Sequence, residues 1–130
     1  MVLVDTTFII DVMKRVPEAI DKAEELEGSS EETRIPTPVI FELCEGIERS
    51  DHPIEKWEKV MRVLASFLEA PLNSKHAREA GRKSGRLIRE GKALDPIDVL
   101  IGGMATVEGE FLVTRDGDFE RIPEVKVEGY

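Results

Sequence analysis

With a single cysteine, Cys44, and two histidines, His52 and His76, the chain can form no internal disulfide and can hardly build a zinc site from nitrogen and sulfur ligands. No apolar run approaches the ~20 residues of a membrane-spanning helix, and the opening Met1-Val-Leu-Val-Asp-Thr-Thr-Phe8 lacks the basic stretch of a secretory signal. These absences predict a cytoplasmic protein with no membrane association. Positive charge is also short: 18 Lys and Arg face 27 Asp and Glu, a net charge of −9. Taken as a whole, that balance repels a phosphate backbone. What remains supports a real core. The 41% hydrophobic content and 130 residues suit one ordinary domain, residues 1–130, able to bury roughly two thirds of its unfolded surface.

The pattern along the chain alternates strands with helices. Residues 1–5 read as a short buried strand ending in an acid, and Thr6 or Thr7 is placed to cap the helix that follows. Pro17 opens a second, strongly acidic helix to about residue 27. Arg34–Pro38 reads as a strand and turn, and Thr37 before Pro38 starts a helix carrying Glu42 and Cys44, the latter as core filling. Pro53 begins an amphipathic helix whose apolar stripe runs from Ile54 through Trp57, Val60, Met61 and Leu64 to Phe67 and Leu68. Ala70–Asn73 is extended, and 74–90 is a long helix. Asp95-Pro-Ile-Asp98 opens a helix apolar on every side, with Asp95 as its cap and Pro96 at its first position. Glu110–Thr114 is a strand, Arg115–Asp118 a turn, and Val125–Val127 a last strand. Strands separated by helices, with hardly a hairpin signal, predict an α/β fold with a parallel sheet covered on both faces.

In such a sheet, ligands collect at the carboxyl ends of the strands. Asp5 ends the first strand, Asp116 follows the fourth, Asp98 opens the helix before it, and Glu42 lies in the helix after the second. Four acids from distant segments can thus meet at one edge. Packed carboxylates repel one another unless a cation lies between them, and hard divalent ions such as Mg²⁺ or Mn²⁺ take oxygen ligands. Each acid also has a plainer reading. Asp98 fits an Asp95–Asp98 capping box, Asp5 a helix cap, Glu42 a surface position, and Asp116-Gly-Asp118 an ordinary turn.

Together these segments resemble a known family. Val2-Leu-Val-Asp-Thr-Thr7, Phe41-Glu-Leu43, Asp98-Val-Leu-Ile-Gly-Gly-Met-Ala105 and Leu112-Val-Thr-Arg-Asp-Gly-Asp-Phe119 occur in the order and spacing of PIN domains. The likeness is strongest to the small VapC-type toxin nucleases and spans nearly the whole chain. It implies a five-stranded parallel sheet flanked by helices on both faces and a metal-dependent endoribonuclease acting through Mg²⁺ or Mn²⁺. It also implies Asp5, Glu42, Asp98 and Asp116 as the acidic quartet, Asp118 sharing the site, and Thr6 and Thr114 as supporting hydroxyls. A homodimer and an antitoxin partner complete what the resemblance implies. Gly102-Gly103 stands where the family commonly has two alanines, a departure that points to close backbone approach.

Metal-assisted attack of water on the phosphodiester needs no protein nucleophile, which agrees with the lack of a Ser-His or Cys-His pair. The charge objection is local rather than global. Residues 75–92 hold seven of the 18 basic side chains, and Lys75, Arg78, Arg82, Arg86 and Arg89 share one helix face. Arg82, Arg86 and Arg89, with Arg115 beside Asp116, are the candidates for holding RNA, against the alternative of a solvated helix or a surface for acidic partner residues. Two rival readings are a phosphotransfer receiver, for which Asp5-Thr-Thr lacks the adjacent acid pair, and a catalytically silent PIN-like module binding RNA or protein.

Overall fold

Val2-Leu-Val4 is apolar at every position, the pattern of a strand covered on both faces, and it forms the middle of the sheet. A computed structural model describes residues 1–130. Its strands are β1 (Val2–Val4), β2 (Thr33–Pro36), β3 (Leu68–Ala70), β4 (Phe111–Val113) and β5 (Lys126–Glu128). All neighbours run parallel, in the order β3-β2-β1-β4-β5. The helices are α1 (Thr6–Met13), α2 (Pro17–Glu27), α3 (Thr37–Glu48), α4 (Pro53–Leu64), α5 (Ser74–Arg89) and α6 (Pro96–Glu108). The five-stranded parallel α/β arrangement is the one expected from the sequence.

Topology positions the site. The chain steps outward from β1 to β3, then crosses to the other side of β1 to lay down β4 and β5. Right-handed crossovers therefore put α1 to α4 on one face and α5 and α6 on the other. The strand order reverses between β1 and β4, and the crevice beyond their carboxyl ends is where a ligand fits an open sheet. Val4 pairs with Val113 there, so Asp5 and Thr114 emerge side by side.

Helix starts follow local chemistry. Pro17, Pro53 and Pro96 each stand at the first position of α2, α4 and α6, where a missing N–H is harmless. Asn73 and His76 form a reciprocal capping box on α5. Three local expectations need correction. The cap of α1 is Asp5, not Thr6 or Thr7: its carboxylate accepts from Phe8 N at 2.9 Å. Asp95 does cap α6, yet it does so through Ile97 N at 2.8 Å, so no Asp95–Asp98 capping box forms. The turn at 115–118 continues into a short 3-10 helix, Gly117–Arg121, because the buried Phe119 ring anchors it to the core.

The core is the sheet and what covers it: Leu3, Val4, Ile35, Leu112 and Val113 from the strands, with Phe8, Ile9, Val39, Ile101 and Met104 from the helices. Gly103 explains how α5 and α6 pack so closely. A Cβ there would lie 2.8 Å from Ala80 Cβ and 2.9 Å from Ala80 N. At Gly102 it would meet only side-chain ends of Ile122 and Val125, at 3.1 Å. The apolar stripe expected to run along one helix from Ile54 to Leu68 is cut short, because α4 ends at Leu64 and Leu68 opens β3, ahead of the extended segment expected at 70–73, and the stripe is core only in part. Val60 is buried and Trp57, Leu64 and Phe67 pack on the core, whereas Ile54 is 78% exposed and Met61 and Leu68 are also exposed. No helix is long and apolar enough to cross a membrane.

Candidate metal centre

Asp5 is 2% exposed, and the local sequence fills its acceptor positions. Phe8 N donates to Oδ1 at 2.9 Å, the Thr7 hydroxyl lies 2.8 Å from both oxygens, and the Thr114 hydroxyl donates to Oδ2 at 2.5 Å. A carboxylate has about four lone-pair sites, and three protein donors (Phe8 N and the Thr7 and Thr114 hydroxyls, one proton each) occupy all but one of those of Asp5. Burial pushes its carboxyl above the ordinary range, against the lowering effect of those same donors. Thr114 Oγ also accepts from Asp116 N at 2.9 Å, so one hydroxyl ties the end of β4 to the end of β1.

The remaining acids gather in front of Asp5. Oxygens of Glu42, Asp95 and Asp98 lie within 4.8 Å of one another, and so do those of Asp98, Asp116 and Asp118. Asp98 belongs to both groups. The Thr6 hydroxyl donates to Glu42 Oε1 at 2.6 Å and so turns that side chain inward from α3. Asp116 Oδ1 accepts from Asp118 N at 3.0 Å, and Asp118 lies 3.3 Å from Arg121 at the exposed rim. The Asp98 carboxyl is pushed up to about 7, first by burial and then by the charges of Glu42, Asp95, Asp116 and Asp5. Acids from the end of β1, from α3, from α6 and from the segment after β4 therefore share one electrostatic pocket, with Arg121 paired to Asp118 only at its exposed rim.

The structure thus brings Glu42, Asp98, Asp116 and Asp118 together, with Asp5 behind them and outside both close groups. Thr6 and Thr114 orient Glu42 and Asp5 respectively. Two contributors escaped sequence reasoning. Asp95 was read as a cap alone, although one carboxylate oxygen can accept Ile97 N while the side chain also borders Glu42 and Asp98. Thr7 was read as a rival cap, whereas its hydroxyl closes on Asp5; an acid followed two residues later by threonine is the available signal.

The basic candidates divide. Arg82 and Arg86 are exposed and rest near Glu79 and Glu90 at 3.6 and 3.5 Å, and Arg89 makes no ion pair. Surface pairs of this kind are weak and open to exchange for phosphate. Lys83, on the same helix, is instead buried and donates to Pro123 O at 2.6 Å. Leu87 of α5 and Val99 of α6 share one small apolar cluster, so Arg86 and Arg89 lie toward the end of α6 that carries Asp95 and Asp98. Arg115 is not free: Nε and Nη2 bind the two oxygens of Asp11 at 2.8 and 3.0 Å.

An all-oxygen acidic pocket at the switch point of a doubly covered parallel sheet defines the class: an α/β domain whose carboxylates could hold a hard divalent ion. The PIN domain family model matches residues 2–125, and the chain belongs to that family. It is similar to "Ribonuclease VapC2" of Haemophilus influenzae, at 26% identity over 98% of this chain and 96% of the relative. It is also similar to the "tRNA(fMet)-specific endonuclease VapC" of Salmonella typhimurium, at 28% identity over 98% of this chain and 96% of the relative. Among solved structures, DNA-bound VapBC from Salmonella typhimurium superposes with a TM-score of 0.86 at 28% identity, covering 98% of this chain and 96% of that one.

Proposed function

We propose that this chain is a metal-dependent endoribonuclease of the VapC type, the toxin of a toxin–antitoxin pair, acting in the cytoplasm with Mg²⁺ or Mn²⁺. One observation carries the reading: Asp98 belongs to two close carboxylate groups, and burial first, then the charges of Glu42, Asp95, Asp116 and Asp5, push its carboxyl up to about 7, a penalty on its charged form that a bound cation would relieve. The donor set fits a hard divalent ion, since it is all oxygen and offers no His or Cys. Glu42, Asp98, Asp116 and Asp118 would hold it. Asp5 serves as the fixed carboxylate of the floor, held by three protein donors and keeping one acceptor site toward the ion. When bound, the ion supplies an acidified water and offsets charge on the scissile phosphate and the leaving 3′-oxygen.

The chain's own residues do the rest. Thr6 and Thr114 keep Glu42 and Asp5 in fixed rotamers, so the pocket is organised before substrate arrives. Arg82, Arg86 and Arg89 give the RNA backbone a positive track leading to an otherwise repulsive pocket, so binding is expected to be strongly salt-dependent. The relatives named ribonuclease and endonuclease support the activity, and the likeness to a VapBC assembly supports an antitoxin partner. A homodimer is proposed as well, with the exposed Ile54, Met61 and Leu68 as apolar surface available to it. Sedimentation showing only monomer over a wide concentration range would remove the dimer.

The test is cleavage of RNA by the purified chain. Products with 5′-phosphate and 3′-hydroxyl ends, formed with Mg²⁺ or Mn²⁺ and abolished by chelation and by Asp98→Asn, are expected. A folded Asp98→Asn variant that cuts as well as the native chain would overturn the nuclease reading.

A further inference from the structure

One buried acid has no part in the carboxylate pocket. Asp11 lies in α1 among Phe8, Ile9, Ile10, Val12 and Met13 and is 3% exposed. A buried carboxylate must be paired and hydrogen-bonded, and this one is satisfied from two distant segments. Arg115 reaches it side-on through Nε at 2.8 Å and Nη2 at 3.0 Å. Tyr130, beyond β5, donates its hydroxyl to Oδ2 at 2.6 Å, and its ring stands edge-on to Phe8 with centroids 5.2 Å apart. Burial and the Asp11 bond push the Tyr130 hydroxyl's pKa upward, so it stays a donor.

This network adjoins the site. Arg115 lies between Thr114, which binds Asp5, and Asp116, which borders Asp98. The Tyr130 ring packs edge-on to Phe8, whose backbone N–H binds Asp5. The Arg115 side chain is 57% exposed, and Nη1 has no partner. A guanidinium fixed along one edge presents its other edge with little entropy left to lose, which suits a phosphate oxygen.

We propose that Asp11 and Tyr130 are positioning residues that hold Arg115 at the rim of the carboxylate pocket, with its free edge set to receive the phosphate being cut. The proposal rests on the nuclease reading above. Asp11 fixes the fork, the Tyr130 hydroxyl fixes Asp11, and Arg115 supplies a rigidly held cationic group for an anionic substrate in an acidic pocket. The expected role is in the transition state, because charge on the phosphate oxygens grows as the bond breaks.

The experiment is a double-mutant cycle on RNA cleavage, with Mn²⁺ affinity measured in parallel. Arg115→Ala is expected to lower kcat about 100-fold, the scale of losing one preorganised donor. Asp11→Asn is expected to lower it about tenfold and Tyr130→Phe several-fold, with KM changed less than kcat and Mn²⁺ affinity unchanged. Asp11→Asn added to Arg115→Ala should cost nothing more, because Asp11 acts only through Arg115. Arg115→Lys, which keeps the charge and loses the fork, should rescue little. Folded Asp11→Asn and Tyr130→Phe variants with native kcat, or an additive double variant, would overturn the proposal. If the native chain cuts no RNA with either metal, the nuclease reading is what fails. The positioning claim is then decided by nuclear magnetic resonance of the Arg115 Nε–H, where a protected signal in the native chain that is lost in Asp11→Asn upholds it and a signal unchanged by that substitution refutes it.

Discussion

Replacing Asp98 by asparagine should abolish activity and yet make the metal-free protein more stable. The carboxyl is held near 7 in the folded chain, against an ordinary value of 3.8, by burial and by Glu42, Asp95, Asp116 and Asp5. Between these values the unfolded chain has already released the proton and the folded chain keeps it. Native stability therefore falls as pH rises from about 4 to 7 and levels off above that. Taken at full value the gap is worth about 4 kcal/mol. Asp98 remains partly exposed, and solvent screening reduces this to about 2 kcal/mol. For a chain of this length that is a rise of roughly 7 °C in Tm. The assay is thermal unfolding of both proteins with chelator. Asp98→Asn should melt well above the native chain at about pH 7.5 and level with it near pH 4. Adding Mg²⁺ should raise only the native protein, because the variant lacks the shared ligand. An Asp98→Asn variant melting at or below the native chain at neutral pH, or by a margin that ignores pH, would refute the reasoning.

Other outcomes follow from the same contacts. Because metal must displace the Asp98 proton, apparent Mg²⁺ affinity should fall about tenfold for each pH unit below 7, measured by calorimetric titration; a flat profile would contradict this. Gly103→Ala should destabilise by about 1–3 kcal/mol in a denaturant melt, since its Cβ meets Ala80 backbone, while Gly102→Ala, facing flexible side-chain ends, should cost less than half as much. Replacing Arg86 and Arg89 with alanine should raise KM for RNA and lower the salt slope by about 1–2, with kcat nearly unchanged; equal salt dependence would remove α5 from the RNA path.

Much of the fold was legible because its signals are local. Pro17, Pro53 and Pro96 mark helix starts by what a proline lacks, and Val2-Leu-Val4 and Phe111-Leu-Val113 mark strands by apolar continuity. The acidic residues could be enumerated, and the parallel order explains why segments as distant as Asp5 and Asp116 meet. What sequence did not reveal depends on pairs far apart in the chain. Arg115 read as a free cation because its partner Asp11 lies on another element. Lys83 lies off the basic face of α5, and its ammonium is drawn inward to Pro123 O, a partner 40 residues away that no local pattern shows. Asp11 itself carried a usable signal, since a lone acid in an apolar helix must find a partner. The sequence leaves Asp5, Thr6 and Thr7 all open as the cap of α1, because each can accept a backbone N–H; the bond from Phe8 N to the buried Asp5 carboxylate decides between them.

The central claim is that the carboxylates around Asp98 form a divalent metal site. The direct measurement is a Mn²⁺ titration of the metal-free protein followed by electron paramagnetic resonance at about pH 8, where Asp98 is ionised, with Asp98→Asn alongside. Saturable quenching of the free Mn²⁺ signal by the native chain, competed by Mg²⁺ and weakened at least about tenfold in the folded variant, is the predicted result. Equal binding by both proteins, or none by the native chain, would contradict it.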